Sequence, residues 1–198
     1  MKGSIIVVIV ILVGALIITY RSYAGNKKIE RQKYEVTKHE KGFEIRHYPR
    51  SVMASVSSKS NRSGSDANQN FRILAGYIFG KNQQDKKIAM TAPVYMEKND
   101  TLNKMSFVLP SKYQISDLPL PEDSSIKIHY SEEGYYACLS FGGFASEKKI
   151  TRKKMELKQL LDKLGYETIG NFNYLGYNAP WDVVNRENDV IVKINYTN

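Results

Sequence analysis

Residues 65–98 read SDANQNFRILAGYIFGKNQQDKKIAMTAPVYMEK. Ser65 or Asp66 can cap a helix, because a short side-chain oxygen accepts a free backbone N–H of the first turn. Phe71, Leu74, Ala75 and Ile78 then recur at i, i+3, i+4 and i+7, which is one apolar face of a helix that Gly80 ends. That face must bury itself against another layer. Residues 87–96 follow as an apolar, extended run containing Ala92-Pro93, so the expected unit is a helix laid on a sheet.

Working outward, residues 34–37, 43–48 and 52–57 read as strands, with Lys41-Gly42 and Pro49-Arg50 as the turns between them. Downstream the series repeats. Strands are expected at 105–109, 126–130 and 135–141. A second helix follows, capped by Ser146, with Ile150, Leu157, Leu161 and Leu164 on its apolar stripe and Gly165 as its stop. Strands at 174–177 and 190–194 close the series, the first running into a second Ala-Pro pair at 179–180. A duplicated β-hairpin/helix/strand unit, with pseudo-repeats 34–98 and 105–198, implies an α+β fold whose two helices cover a twisted, barrel-like sheet.

Ahead of this domain lies SIIVVIVILVGALIITY, residues 4–20, without a charge. As a helix at ~1.5 Å per residue it reaches ~26 Å, close to the ~30 Å of a hydrocarbon core. Residues 1–24 are therefore expected to be an N-terminal transmembrane anchor, which makes the lipid membrane a partner. Ser22 and Ala24 offer a small-x-small cleavage pattern, but the apolar run exceeds the ~7–15 residues of a secretory h-region, which favours an uncleaved anchor. The side of the membrane stays open, because positive charges after the span and the very short amino-terminal arm point in opposite directions. Residues 25–33, GNKKIERQK, form a basic juxtamembrane linker, either a lipid contact or a solvated spacer.

A length of 198 residues allows one domain on such an anchor. The formal charge of +9 comes from 29 Lys+Arg against 20 Asp+Glu and suggests an anionic partner. Residues 1–33 hold six of those cations and one acid, leaving +4 for the domain. Nucleic acid is not expected: the basic run Lys148, Lys149, Arg152, Lys153, Lys154 and Lys158 comes without an RNP-type aromatic pair or a helix-turn-helix spacing. Cys138 is the only cysteine and reads as a buried structural thiol, which excludes an intrachain disulfide, a Cys-rich zinc site, a thiol-ligated iron-sulfur cluster and C-x-x-C-H attachment of haem. No nucleophile elbow, phosphate loop or dinucleotide fingerprint occurs, so no enzyme is expected.

The motifs, taken in order, have a resemblance. Phe43-Glu44-Ile45-Arg46-His47-Tyr48, Phe71-x-x-Leu74-x-x-Tyr77-Ile78-x-Gly80-Lys81-Asn82 and Lys87-Ile88-x-Met90-Thr91-x-Pro93-Val94 resemble the SOUL haem-binding protein family. So do Phe141-Gly142-Gly143-Phe144, Gly176-Tyr177-Asn178-x-Pro180 and Asn185-Arg186-x-Asn188-Asp189-Val190. The resemblance covers residues 34–194. It implies a distorted β-barrel flanked by two helices and non-covalent binding of haem or a related tetrapyrrole, for buffering or transport. A non-haem small-molecule or partner-binding module on the same fold is the alternative.

In the branch this chain looks most like, the histidine of the E-I-R-H-Y motif is the proposed axial ligand of haem iron, which carries over to His47. One neutral imidazole can ligate iron if a partner orients its other nitrogen. Strand alternation puts His47 beside Phe43 and Ile45, with Glu44, Arg46 and Tyr48 opposite. The competing reading of His47 is a hydrogen-bonded core residue. His39 and His129 read as surface residues. Haem also needs an apolar slot and cations for its propionates, and Phe71, Arg72, Leu74, Ala75, Ile78 and Phe79 on the first helix offer that mixture, with Arg72 as the propionate partner. Met90 reads as a buried packing residue.

Overall fold

The computed structural model describes residues 29–59, 65–99, 101–179, 182 and 185–197. The expected anchor and residues 25–28 of the linker lie outside these; among the described residues no helix is long and apolar enough to cross a membrane. In chain order the elements are β1 (Glu30–Arg31), β2 (Glu35–Glu40), β3 (Phe43–Tyr48), β4 (Val52–Lys59), α1 (Ser65–Ile78), β5 (Thr91–Ala92), β6 (Val94–Lys98) and β7 (Leu102–Val108). After a short 3-10 turn at Ile115–Asp117 come β8 (Lys127–Tyr130), β9 (Gly134–Gly142), α2 (Glu147–Leu164), β10 (Thr168–Gly176) and β11 (Glu187–Ile194).

β1 pairs in parallel with β5, and the other nine strands form one antiparallel sheet in the order β2-β3-β9-β11-β10-β6-β7-β4-β8. Apart from the extra edge strand β2, the order is symmetric about the β10/β6 pair. On one side β11 and β9 mirror β7 and β4 on the other, and each half lends its preceding strand to its counterpart: β3 pairs with β9, β8 with β4. α1 packs over β4 and β7, α2 over β9 and β11.

Two apolar clusters lie under the helices. Leu74, Tyr77 and Ile78 of α1 meet Ala54, Val56, Met105 and Phe107, and Leu157 and Leu161 of α2 meet Phe43, Ile45, Ala137, Leu139, Val190 and Val192. Burying each of the Val, Leu, Ile, Met and Phe side chains among these contributes about 1.5–3 kcal/mol before chain entropy opposes it. Ser146 caps α2 by accepting from the Lys149 N–H, and Gly165 ends it in the left-handed region at φ 74°. Leu164, expected on the apolar stripe, is instead half exposed beside that stop.

Three further expectations are corrected. The sheet is not a closed barrel: β2 and β8 are its two edges and do not pair. β2 is exposed along most of its length, carries Glu35, Lys38, His39 and Glu40, and has a register shift between Val36 and Lys38, features that discourage a further strand from pairing there. The strand expected over 87–96 is confined to β5 and β6, divided by Pro93, which has no N–H to give a ladder. Before it, a loop folds around the buried Asn82. Its amide donates to the carbonyls of Tyr77 and Lys86, and its oxygen accepts from the N–H groups of Gln84 and Lys86. Met90 therefore lies in the loop at 37% exposure rather than in the core.

The face of the sheet away from the helices also departs from simple amphipathic strands. Tyr48, Cys138, Leu175 and Ile191 are buried there, with Tyr95, Tyr136 and Tyr177 packed around them. β3 is consequently buried on both faces, which its alternating pattern did not reveal.

Candidate functional site

The three histidines differ in what their rings have left to give. His129 is half-buried, not a surface residue, with Nε2 2.8 Å from Ser55 Oγ and Nδ1 2.8 Å from the Tyr130 carbonyl, so both nitrogens are engaged. His39 stands in solvent on the β2 edge and pairs with Glu44 at 3.3 Å. The ring of His47, at the end of β3, makes no hydrogen bond among the described residues. Its Nε2 is 3.6 Å from Glu133 Oε1, too long for one but within reach of a side-chain rotation. With its side chain 31% exposed, the imidazole is reachable from outside.

Around His47 the α2 side of the sheet presents a strip of half-buried aromatics. The His47 ring centroid is 5.1 Å from that of Tyr135, its cross-strand partner. Tyr135 is 5.0 Å from Tyr196 and Tyr196 is 6.3 Å from Tyr166. Lys38 closes the strip, its Nζ 3.3 Å from the Tyr166 hydroxyl and 2.7 Å from Glu40 Oε1. Those two contacts hold the ammonium above its ordinary pKa; Lys38 and the Tyr166 hydroxyl, which donates to Glu40 at 2.8 Å, hold the Glu40 carboxyl below its own. The rings are tilted to one another by 42–66° and make an aromatic surface with an imidazole at one end and a cation at the other.

The first-helix candidates are placed elsewhere. Leu74 and Ile78 are fully buried core residues. Phe71 is half-buried, with its ring centroid 5.4 Å from that of Phe107, and Ala75 is half-buried. Arg72 is exposed, and Phe79, just past the helix, is 58% exposed. α1 belongs to the cluster of β4 and β7, whereas Tyr135, the ring beside His47, packs against that of α2, so the structure does not bring His47 and the first helix into one pocket.

Sequence reasoning missed a buried ion network directly behind His47. Arg46, on the other face of β3 at 5% exposure, donates Nη1 to Asp189 Oδ2 at 2.8 Å, Nε to Glu44 Oε2 at 2.8 Å and Nη2 to Ser140 Oγ at 3.0 Å. The hydroxyls of Ser140 and Tyr177 donate to Asp189 at 2.6 and 2.7 Å, and Tyr34 stacks its ring 4.3 Å from the guanidinium. Next to it the Cys138 thiol is pushed up to about 12 by burial, which keeps it protonated and inert. The signal was present as an Arg and an Asp inside two apolar strands, since buried charges persist only in pairs.

The inner face also carries a cleft of about 380 Å³, lined among others by Tyr95, Lys104, His129, Tyr136 and Lys193. It is separate from the His47 strip, which lies on the side of α2.

Comparison with known proteins agrees with the motifs. Residues 29–193 match the family model described as SOUL heme-binding protein. Human Heme-binding protein 2 is 34% identical over 156 residues, covering 75% of this chain and 76% of that protein. Heme-binding protein 1 of Xenopus tropicalis is 32% identical over 125 residues, 59% of this chain and 65% of that one. Among solved structures, the EcmrR C-terminal domain superposes with a TM-score of 0.61 at 8% identity, over 83% of this chain and 99% of that one. A structure titled as a hydrolase from Listeria innocua gives 0.55 at 9% identity, over 89% and 98%. At such identities the structural likeness concerns the fold alone. The family match across nearly all described residues and the relatives above 30% identity lead to one conclusion: the chain belongs to the SOUL heme-binding protein family.

Proposed function

We propose that the chain is a membrane-tethered domain that holds haem or a related tetrapyrrole non-covalently, to buffer it or hand it on. The observation that carries this is the state of His47: within a family-matched domain it alone of three histidines combines uncommitted ring nitrogens with an adjoining aromatic surface. His47 would supply the imidazole for the iron, with Glu133 close enough to orient the second nitrogen. Tyr135 and Tyr196 would lie against the ring, and Lys38, the more exposed member of its pair, would face a propionate, exchanging one carboxylate partner, Glu40, for another. Bound haem supplies the redox and ligand-binding chemistry of its iron; no catalytic step of the protein is proposed.

Arg72 and Phe79, the exposed members of the first-helix set, form the competing haem surface. The uncharged run of residues 4–20 supports the tether. The experiment is a haemin titration of the full chain in mild detergent, followed at the Soret band. A saturable one-site shift is expected, and no saturable shift would refute haem binding.

A second reading rests on the inner cleft, whose volume is at the lower end of the ~300–1,000 Å³ typical of small-molecule sites. A ligand held there would be displaced by substitutions at Tyr95 or Lys104 and unaffected by His47→Ala.

A further inference from the structure

The charge of the domain is not spread over it. α2 carries seven Lys/Arg and three acids, a net +4, which equals the net charge of residues 34–198 as a whole. The acids of α2 are each already paired: Glu147 with Lys98 at 2.6 Å, Glu156 with Lys153 at 2.8 Å and Asp162 with Lys158 at 2.9 Å. Lys148 and Arg152 are exposed and take part in no hydrogen bond or ion pair among the described residues. One turn on, Met155 is 59% exposed, and in the loop before the helix Phe144 is 61% exposed. Lys148, Lys149, Arg152 and Met155 line one open groove along the outer side of α2. A cationic stripe in which, among the described residues, Lys148 and Arg152 have no counter-ion and Lys149 none beyond a backbone carbonyl, flanked by two exposed apolar side chains, is the composition of a surface that rests on anionic lipid.

The position of this stripe is the second, independent observation. The described chain begins at Ile29, and β1 sets it beside β5. Arg31 pairs with Glu187 at 2.6 Å, Glu187 lies opposite Gly142 in the sheet, and Lys149 Nζ donates to the Gly142 carbonyl at 2.7 Å. The chain therefore enters the fold at the same end of the sheet from which α2 departs. Only residues 21–28 separate the apolar run from Ile29, a span of at most ~30 Å when fully extended. A domain tethered this closely must turn some surface toward the bilayer, and the first turns of α2 are at the tethered end.

We infer that Phe144, Lys148, Lys149, Arg152 and Met155 form a face that docks on anionic phospholipid headgroups, orienting the domain on its membrane. The inference rests on the membrane tether proposed above, and docking leaves the His47 strip, toward the other end of β9, free for ligand exchange. Each cation near an anionic surface strengthens partition about fivefold, so Lys148→Glu with Arg152→Glu lowers it by well over tenfold.

The test uses the full chain carrying Met155→Cys labelled with an environment-sensitive fluorophore; Cys138, 1% exposed, stays unlabelled in the native fold. Reconstituted into phosphatidylcholine vesicles, the label reports water. Added phosphatidylglycerol is expected to shift it to the blue, reversibly with salt, and the shift is lost in the double charge reversal. A label at Asn195, exposed at the far end of β11, does not move. A Met155 label that ignores phosphatidylglycerol, or that answers to an RNA duplex and not to vesicles, overturns the inference. Flotation with neutral vesicles scores the tether separately. Chain that floats with an unmoved label keeps the tether and loses the docking face. Chain that fails to float with neutral vesicles, yet binds anionic ones and shifts, does the reverse.

Discussion

Arg46→Met is the perturbation whose consequence the structure defines most closely. Arg46 and Asp189 are 5% and 4% exposed, so solvent does little to screen them. Removing the guanidinium leaves the Asp189 carboxylate buried, with the hydroxyls of Ser140 and Tyr177 but no cation, and leaves Glu44 without its partner on β3. Breaking a buried pair from one side costs about 3–5 kcal/mol, mostly the penalty for the charge left behind. For a domain of this size that corresponds to a fall in Tm of roughly 10 °C. Asp189→Asn strands the guanidinium less completely, because Glu44 remains 2.8 Å from it, and should cost about half as much. Since the two share one network, the double variant should be more stable than the sum of the singles predicts, by about 2 kcal/mol. Urea unfolding of the full chain in detergent, followed by far-UV circular dichroism, measures all four corners of the cycle. An Arg46→Met cost below about 1 kcal/mol, or strict additivity, would refute a structural role for the pair.

Other expectations concern the protein's response to base and its loop packing. Burial pushes Tyr77, Tyr136 and Cys138 each up to about 12, against ordinary values of 10.0 for tyrosine and 9.0 for cysteine. A raised acid pKa means the folded state holds protons the unfolded chain has lost. Stability from these groups is therefore intact below about pH 9 and disappears as pH rises through about 12. By pH 11 the loss should be about 1 kcal/mol per tyrosine and about twice that for Cys138, and denaturation curves that superimpose from pH 8 to 11 would contradict it. Asn82→Ala removes four hydrogen bonds from the buried loop after α1. It should cost about 2–4 kcal/mol while leaving the His47 strip, under the other helix, with unchanged haemin affinity.

Much of the fold was legible because its signals are local. The i, i+3, i+4, i+7 series from Phe71 to Ile78, the Ser146 cap and the left-handed Gly165 each report on a few neighbouring residues. What was not legible depends on pairing across the chain. Whether nine strands close depends on whether β2 meets β8, and neither strand's own sequence states its partner. Alternation put Arg46 on the face opposite His47, but alternation specifies a face and not what covers it; Asp189, 143 residues away, covers it. At the site, strand alternation set His47 on the side of Phe43 and Ile45, but the aromatic strip needs Tyr196 and Tyr166 from beyond α2. The first-helix set mixed core and surface residues, since an amphipathic face by itself does not separate what packs from what binds.

The central claim, that a tetrapyrrole lies on the His47 strip, is tested most directly by comparing haemin spectra of the wild type, His47→Ala and Arg72→Ala, with iron-free protoporphyrin as a second ligand. The account predicts a ligand-shifted Soret band in the wild type and in Arg72→Ala. His47→Ala should lose the shift yet still bind protoporphyrin through Tyr135 and Tyr196. A His47→Ala spectrum identical to the wild type, with the shift abolished by Arg72→Ala, would contradict it and move the site to the first helix.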